Sequence, residues 1–169
     1  MGSGKTSVGR ALSQRLGWGF EDLDQAIERR EGRSIAAIFR ESGEGEFRRA
    51  EEAALRSILQ QLETGAMVIA LGGGTFVQAQ NSALITESGG RTVFLDAGLD
   101  ELWRRCQETS ERPLRSDEQH FRHLYATRRP AYMKASVRVD TGGKDPESVA
   151  AEIVEVLGLK RKHSGTKER

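Results

Sequence analysis

The sequence predicts an α/β domain, a parallel sheet covered by helices, and three observations carry that expectation. Segments with helical spacing alternate with short apolar runs, the order produced by a parallel sheet whose strands are joined by crossover helices. Met67-Val68-Ile69-Ala70-Leu71 is continuously apolar, as a strand buried on both faces must be, and it runs straight into Gly72-Gly73-Gly74. At the start, Gly4-Lys5-Thr6 supplies the second half of a phosphate-binding motif and opens an amphipathic helix.

Each element follows from local pattern. Lys5 to Leu16 carries Val8, Ala11, Leu12 and Leu16 at helical spacing, and Gly17 is a natural stop. Trp18-Gly19-Phe20 reads as a short strand leading to Asp22, and Asp24 to Arg30 as a helix ending at Gly32. Ser34 is a good N-cap for a short helix with Ile35, Ile38 and Phe39, closed by Gly43. A long amphipathic helix follows from about Glu46 to Leu62, with Phe47, Ala50, Ala54, Leu55, Ile58 and Leu62 on one side. Beyond the glycines come a helix around Asn81 to Glu87, a strand Thr92 to Leu95 and a helix Leu99 to Gln107. Thr109 to Gln119 is polar, charged and interrupted by Pro113, and reads as a mobile loop. Phe121 to Lys134 is helical, with Pro130 bending or ending it. Val137 to Asp140 is a short strand, Thr141 to Asp145 a loop, and Pro146 opens a closing helix to Leu157.

With 169 residues and no linker or internal repeat, the chain reads as a single domain over 1–159, with a lid at about 107–119. No apolar run approaches the roughly 20 residues of a membrane span, and no basic-then-apolar leader opens the chain. The single cysteine, Cys106, suits a reducing compartment, so the expected location is cytoplasmic. Net charge is +1, but the segment 160–169 holds five Lys or Arg against one Glu, a local +4 that leaves −3 elsewhere. Lacking interleaved aromatics, that segment reads as a disordered polar end and not as a nucleic-acid site.

The chemistry concentrates at the predicted strand ends. The backbone amides of Gly2, Ser3, Gly4, Lys5, Thr6 and Ser7, backed by the positive end of the following helix, suit phosphate oxygens. Lys5 would reach the β- and γ-phosphates of ATP, and the Thr6 hydroxyl would ligate Mg²⁺. Such a loop ordinarily follows a strand, which is expected to lie upstream of Met1 in the natural protein, with Met1 an internal residue. Asp22 and Asp24 stand two apart at a strand's C-terminal end and share a face if the extended backbone persists through Asp24. One would serve the Mg²⁺ shell and the other an acceptor hydroxyl; the plainer alternative is a helix N-cap beside a surface acid. Within Phe47-Arg48-Arg49, an arginine fork would grip a carboxylate, although an arginine pair on a helix is more often solvated. Three consecutive glycines permit close approach of a ligand to backbone. Arg104, Arg105, Arg112 and Arg115 surround the polar loop, where they could neutralise a transferring phosphate, and Arg128 and Arg129 add a further cationic pair.

Taken together these segments resemble shikimate kinase. The resemblance rests on GSGKTSVGR at Gly2–Arg10, DLD at Asp22–Asp24, GRSIAAIF at Gly32–Phe39 and GEGEFRRAEE at Gly43–Glu52. ALGGGT at Ala70–Thr75, ERPL at Glu111–Leu114 and RRPAY at Arg128–Tyr132 complete it, in order and over nearly the whole chain to about Leu157. It implies a three-layer P-loop fold of the nucleoside-monophosphate kinase type with five parallel strands, and transfer of phosphate from ATP to the 3-hydroxyl of shikimate. It also implies that Asp24, Arg48, Arg128 and the Gly72–Gly74 backbone hold shikimate, with Asp24 as the base and the arginines on the carboxylate. Asp22 and Thr6 would serve Mg²⁺, Arg112 would be the lid arginine, and Arg105 with the 141–146 loop would flank adenine. A monomer is what the family suggests. Two other readings stand beside it: another small-metabolite kinase of the same fold, gluconate-kinase-like, and a non-catalytic nucleotide-binding remnant.

Overall fold

The computed structural model describes residues 2–62, 65–108 and 117–161. Arg112, Arg115 and the basic segment past 161 therefore lie outside the described residues.

Helix α1 (Lys5–Leu16) buries Val8, Leu12 and Leu16 and ends where Gly17 takes the left-handed conformation, φ 66°. Strand β1 (Gly19–Asp22) follows and gives way at once to α2 (Leu23–Glu31), closed by Gly32 at φ 66°. The extended backbone thus stops at Asp22, and Asp24 is already helical. Helix α3 (Ile35–Gln61) starts at the Ser34 cap, whose hydroxyl accepts from the Ala37 amide at 3.2 Å. The break expected at Gly43 appears as a kink, with φ 77° and ψ 177°, so two helical segments run on as one element.

Strand β2 (Met67–Ala70) leads through the glycines into a single 3₁₀ turn at Thr75–Val77 and then α4 (Ala79–Glu87). Strand β3 (Val93–Asp96), α5 (Leu99–Glu108), α6 (Glu118–Tyr132), β4 (Val137–Asp140) and α7 (Pro146–Leu157) complete the order. Pro130 lies inside α6, which ends two residues later, while Pro146 sits in the first turn of α7 behind the Asp145 cap.

The described strands form two parallel pairs. β1 pairs with β2 from Gly19↔Met67 to Asp22↔Ala70, and β3 pairs with β4 from Val93↔Val137 to Asp96↔Asp140. Three apolar clusters hold the elements together. Leu23, Ile27, Ile38, Leu55 and Ile58 join α2 to α3, with Met67 and Ile69 of β2 against them. Leu12, Leu16, Leu95, Val139, Val149 and Ile153 join α1 and α7 to the second strand pair. Leu102, Cys106, Phe121 and Tyr125 join α5 to α6. Leu23, Ile27, Ile38 and Leu55 are fully buried, and each such side chain stabilises the fold by about 1.5–3 kcal/mol relative to exposure. The five strands implied by the resemblance correspond to four among the described residues, and between β2 and β3 runs an apolar cavity of about 560 Å³.

Candidate active site

The phosphate loop enters α1 through Gly4, which occupies the cap position at φ 78° and supplies no side-chain cap to the first turn. A helix start of this kind presents amides and the positive end of the helix dipole to an anion. Gly2 is pressed against α5. A Cβ there would lie 2.6 Å from the Leu102 carbonyl oxygen and 3.0 Å from Cys106 Sγ, and φ is +65°. Ser3 is buried, Ser7 is exposed, and Lys5 borders the same cavity mouth as Gly72 and Gly73.

Thr6 and Asp22, 16 residues apart, meet directly: the Thr6 hydroxyl donates to Asp22 Oδ2 at 2.7 Å. The other oxygen, Oδ1, accepts the Asp24 and Gln25 amides at 3.1 and 3.4 Å. Asp22 is therefore both the N-cap of α2 and the hydrogen-bond partner of Thr6. The condition for Asp22 and Asp24 to share a strand face, extended backbone through Asp24, is not met. Because β1 ends at Asp22, Asp24 turns with the first helical turn towards the glycines, where a Cβ on Gly72 would lie 2.8 Å from Asp24 Oδ1.

Arg48 projects from α3 to the same place. Its Nη1 donates to Glu51 Oε2 at 2.9 Å and its Nη2 to Glu44 Oε1 at 3.0 Å. Burial works to lower the guanidinium pKa, but the Glu51 and Glu44 carboxylates raise it overall, so Arg48 is a fixed cation. Glu51 is 1% exposed, and its Oε1 takes the Thr75 hydroxyl at 2.7 Å. Gly74 lies against this guanidinium: a Cβ would meet Nη1 at 2.8 Å and Nη2 at 2.9 Å. The guanidinium also lies 5.1 Å from the Phe47 ring. Arg49, by contrast, points away and pairs with Glu46 on the exposed face.

From α6, the Tyr132 hydroxyl donates to the Gly73 carbonyl. Burial pushes that phenol's pKa up, and Arg128, four residues earlier on α6, partly offsets the rise. Arg129 turns instead to Asp96, at 3.3 Å. Arg105 pairs with Glu101 and donates to the Thr141 carbonyl at 3.3 Å, joining α5 to the loop after β4.

Asp24 and Arg48 thus meet at the Gly72–Gly74 turn, Thr6 with Asp22 adjoins Asp24, and Arg128 stands beside Tyr132, which bonds Gly73. Arg112 falls outside the described residues, and Arg105 stands on the far side of the phosphate loop. Sequence reasoning passed over Glu51, Thr75 and Tyr132. Glu51 sits three residues after Arg48, the spacing of an ion pair on one helix face, and that signal was available. Tyr132 carried none, since its partner is 59 residues away.

The site has two halves: an anion cradle with two hard oxygen donors, and a compartment with one carboxylate, fixed cations and open backbone. A divalent cation such as Mg²⁺ fits the Thr6–Asp22 pair, because Mg²⁺ takes one or two protein oxygens together with substrate phosphates. Consistent with that sparse demand, no group of three or more His, Cys, Asp or Glu gathers among the described residues.

Comparison with known proteins places the chain in a family. The family model described as shikimate kinase matches residues 1–158. The chain is 37% identical over 155 residues to the shikimate kinase of Persephonella marina, covering 91% of this chain and 92% of that one. It is 39% identical over 160 residues to that of Geobacter metallireducens, covering 93% and 87%. Among solved structures, shikimate kinase from Acinetobacter baumannii in complex with shikimate superposes with a TM-score of 0.85 at 34% identity, covering 96% of this chain and 91% of that one. The Aquifex aeolicus enzyme gives 0.82 at 34% identity, with 94% and 92% covered.

Proposed function

The chain belongs to the shikimate kinase family, and from that premise we propose how its own residues divide the ATP-dependent phosphorylation of shikimate. The observation that carries the assignment is the meeting of Asp24, Arg48 and the Gly72–Gly74 turn, with the Thr6–Asp22 pair two residues from Asp24.

Shikimate sits in the glycine-walled compartment, its carboxylate on Arg48 and Arg128 and its 3-hydroxyl at Asp24. Arg48 is suited to this because Glu51 and Glu44 hold its fork before any ligand arrives, so little rotamer entropy is lost on binding. Glycine at 72 and 74 keeps the space around Asp24 and Arg48 clear of a Cβ. The phosphate loop, Gly2 to Ser7, cradles ATP, with Lys5 on the β- and γ-phosphates and Arg105 beside the nucleotide.

In the transfer step the 3-hydroxyl oxygen forms a bond to the γ-phosphorus while the bond to the β,γ-bridging oxygen breaks. The hydroxyl proton passes to Asp24, and the electron pair leaves with ADP. The transition state asks for alignment and charge neutralisation, not covalent help. Thr6 and Asp22 would hold Mg²⁺, and the ion would offset phosphate charge. Arg112 is assigned to the transferring phosphate. The chain works as a cytoplasmic monomer in this reading, and no helix among the described residues is long and apolar enough to cross a membrane.

Arg48→Ala tests the acceptor assignment. KM for shikimate should rise far more than KM for ATP, and both constants staying unchanged would sink it.

A further inference from the structure

Assigning Arg128 to the acceptor leaves its neighbour Arg129 without a role. Adjacent residues on an α-helix point about 100° apart, so only one of the two arginines can be aimed at the acceptor. The rotation of α6 about its own axis decides which. Tyr125 and Tyr132, seven residues apart, mark the face that α6 turns to β3. The Tyr132 ring packs on Phe94 with centroids 5.4 Å apart. Arg128 and Arg129 flank that face on opposite sides.

Asp96, the last residue of β3 and only 8% exposed, grips this face. Its Oδ1 accepts the Tyr125 hydroxyl at 2.9 Å, and its Oδ2 accepts from Arg129 Nη2 at 3.3 Å. Two contacts one helical turn apart, each on its own carboxylate oxygen, fix both the height and the rotation of α6. The carboxylate is itself held. Arg138 of β4, in register with Phe94, brings its Nε to 3.1 Å from Oδ2. The Asp96 carbonyl accepts the Thr141 amide at 2.7 Å and the Thr141 hydroxyl at 3.0 Å, which pins the backbone that carries the side chain. A carboxylate this enclosed needs a charged partner. Arg138 alone would neutralise it; Arg129 and Tyr125 add a tie to α6.

We propose that Asp96 is a positioning residue for the reaction: by holding Tyr125 and Arg129 it sets the rotation of α6 that aims Arg128 at the acceptor carboxylate. The proposal rests on the assignment of Arg128 to that carboxylate. In this role Asp96 touches no reactant and acts through Arg128 alone. Neutralising it therefore loosens acceptor binding and leaves nucleotide binding and the transfer step as they were.

The test compares Asp96→Asn, Arg128→Ala and the double variant of the full chain by two-substrate kinetics. Asp96→Asn keeps the size of the side chain and an acceptor for Tyr125 while removing the charge. Its shikimate KM should rise about tenfold, the scale of coupling within one hydrogen-bonded network. Its kcat and its KM for ATP should stay within about threefold of native. In the Arg128→Ala background the same substitution should change shikimate KM by less than about twofold, because nothing is left to aim. A merely structural Asp96 would move all the constants together, or would act as strongly with Arg128 absent. Either result overturns the proposal, as does an unchanged shikimate KM in Asp96→Asn. Arg128→Ala with a native shikimate KM would instead sink the carboxylate assignment, and this proposal with it. If Asp96→Asn does not fold, Arg129→Met takes its place, since that side chain is 41% exposed, and the same pattern of constants is expected.

Discussion

Arg48 Nη1 lies 2.9 Å from Oε2 of Glu51, a carboxylate only 1% exposed. A buried charge is tolerable when it is paired and hydrogen-bonded, and Glu51 has a second partner in Thr75. The pair therefore fixes two things at once: the direction of the Arg48 fork and the start of the turn that follows the glycines. An exposed arginine on α3, such as Arg49, has no equivalent constraint.

Glu51→Gln keeps the shape of that anchor and removes its charge. KM for shikimate should rise about tenfold, equivalent to roughly 1.4 kcal/mol, while KM for ATP changes little. Stability should fall by about 1–3 kcal/mol, because a buried partner is left imperfectly satisfied. Two-substrate kinetics together with urea unfolding check both parts, and an unchanged shikimate KM would remove Glu51 from the positioning role.

The glycines separate into two functions. A Cβ at Gly72 collides with Asp24 Oδ1 at 2.8 Å, whereas a Cβ at Gly74 collides with the Arg48 guanidinium. Gly72→Ala should therefore lower kcat by about 10- to 100-fold through displacement of the base. Gly74→Ala should act mainly on shikimate KM. If the two variants share one kinetic signature, the division between Asp24 and Arg48 is wrong.

Asp22→Asn and Asp24→Asn differ by two positions and should differ in kind. Asparagine caps a helix about as well as aspartate, so Asp22→Asn should unfold at nearly the native denaturant concentration yet need several times more Mg²⁺ for half-maximal velocity. Asp24→Asn should lose most of kcat with its Mg²⁺ requirement unchanged. Velocities measured across a Mg²⁺ titration distinguish them.

One buried phenol, Tyr125, and one half-buried, Tyr132, make the alkaline limb of stability predictable. Burial raises the pKa of both Tyr125 and Tyr132, with Asp96 adding to the rise at Tyr125 and Arg128 opposing it at Tyr132. A raised folded pKa means that the neutral phenol is favoured in the fold. The stabilisation is fully present below the unfolded value of about 10 and is lost as pH climbs through the folded values. Thermal midpoints should drop more steeply above about pH 10 for the native chain than for a Tyr125→Phe, Tyr132→Phe double variant. Parallel curves would count against this linkage.

Much of the fold was legible because its punctuation is local. Gly17 and Gly32 stop helices by taking positive φ, Ser34 caps with its own hydroxyl, and Pro146 sits where a missing N–H costs nothing. Asp24 falls in a helix, as its local pattern indicates, and the β-to-α switch comes at Asp22, whose side chain caps α2. Gly43 is legible in the same way: its non-helical φ of 77° and ψ of 177° divide α3 into two helical segments. Glu51 looked like one more acid on an amphipathic helix. Its burial follows from the packing of Thr75, 24 residues on, against that face of α3.

The sequence by itself determined the chemistry: a phosphate loop at a helix start, carboxylates after a strand, a glycine turn and arginines for an acidic acceptor. These are properties of residue type and spacing, which act over one or two turns of chain. The tertiary structure alone decided which groups meet. Asp22 joins Thr6, Arg48 is locked by Glu51, and Tyr132 reaches Gly73. Those outcomes depend on desolvation and on contacts between elements tens of residues apart. No local periodicity encodes them; the packing of helix layers on strand pairs does.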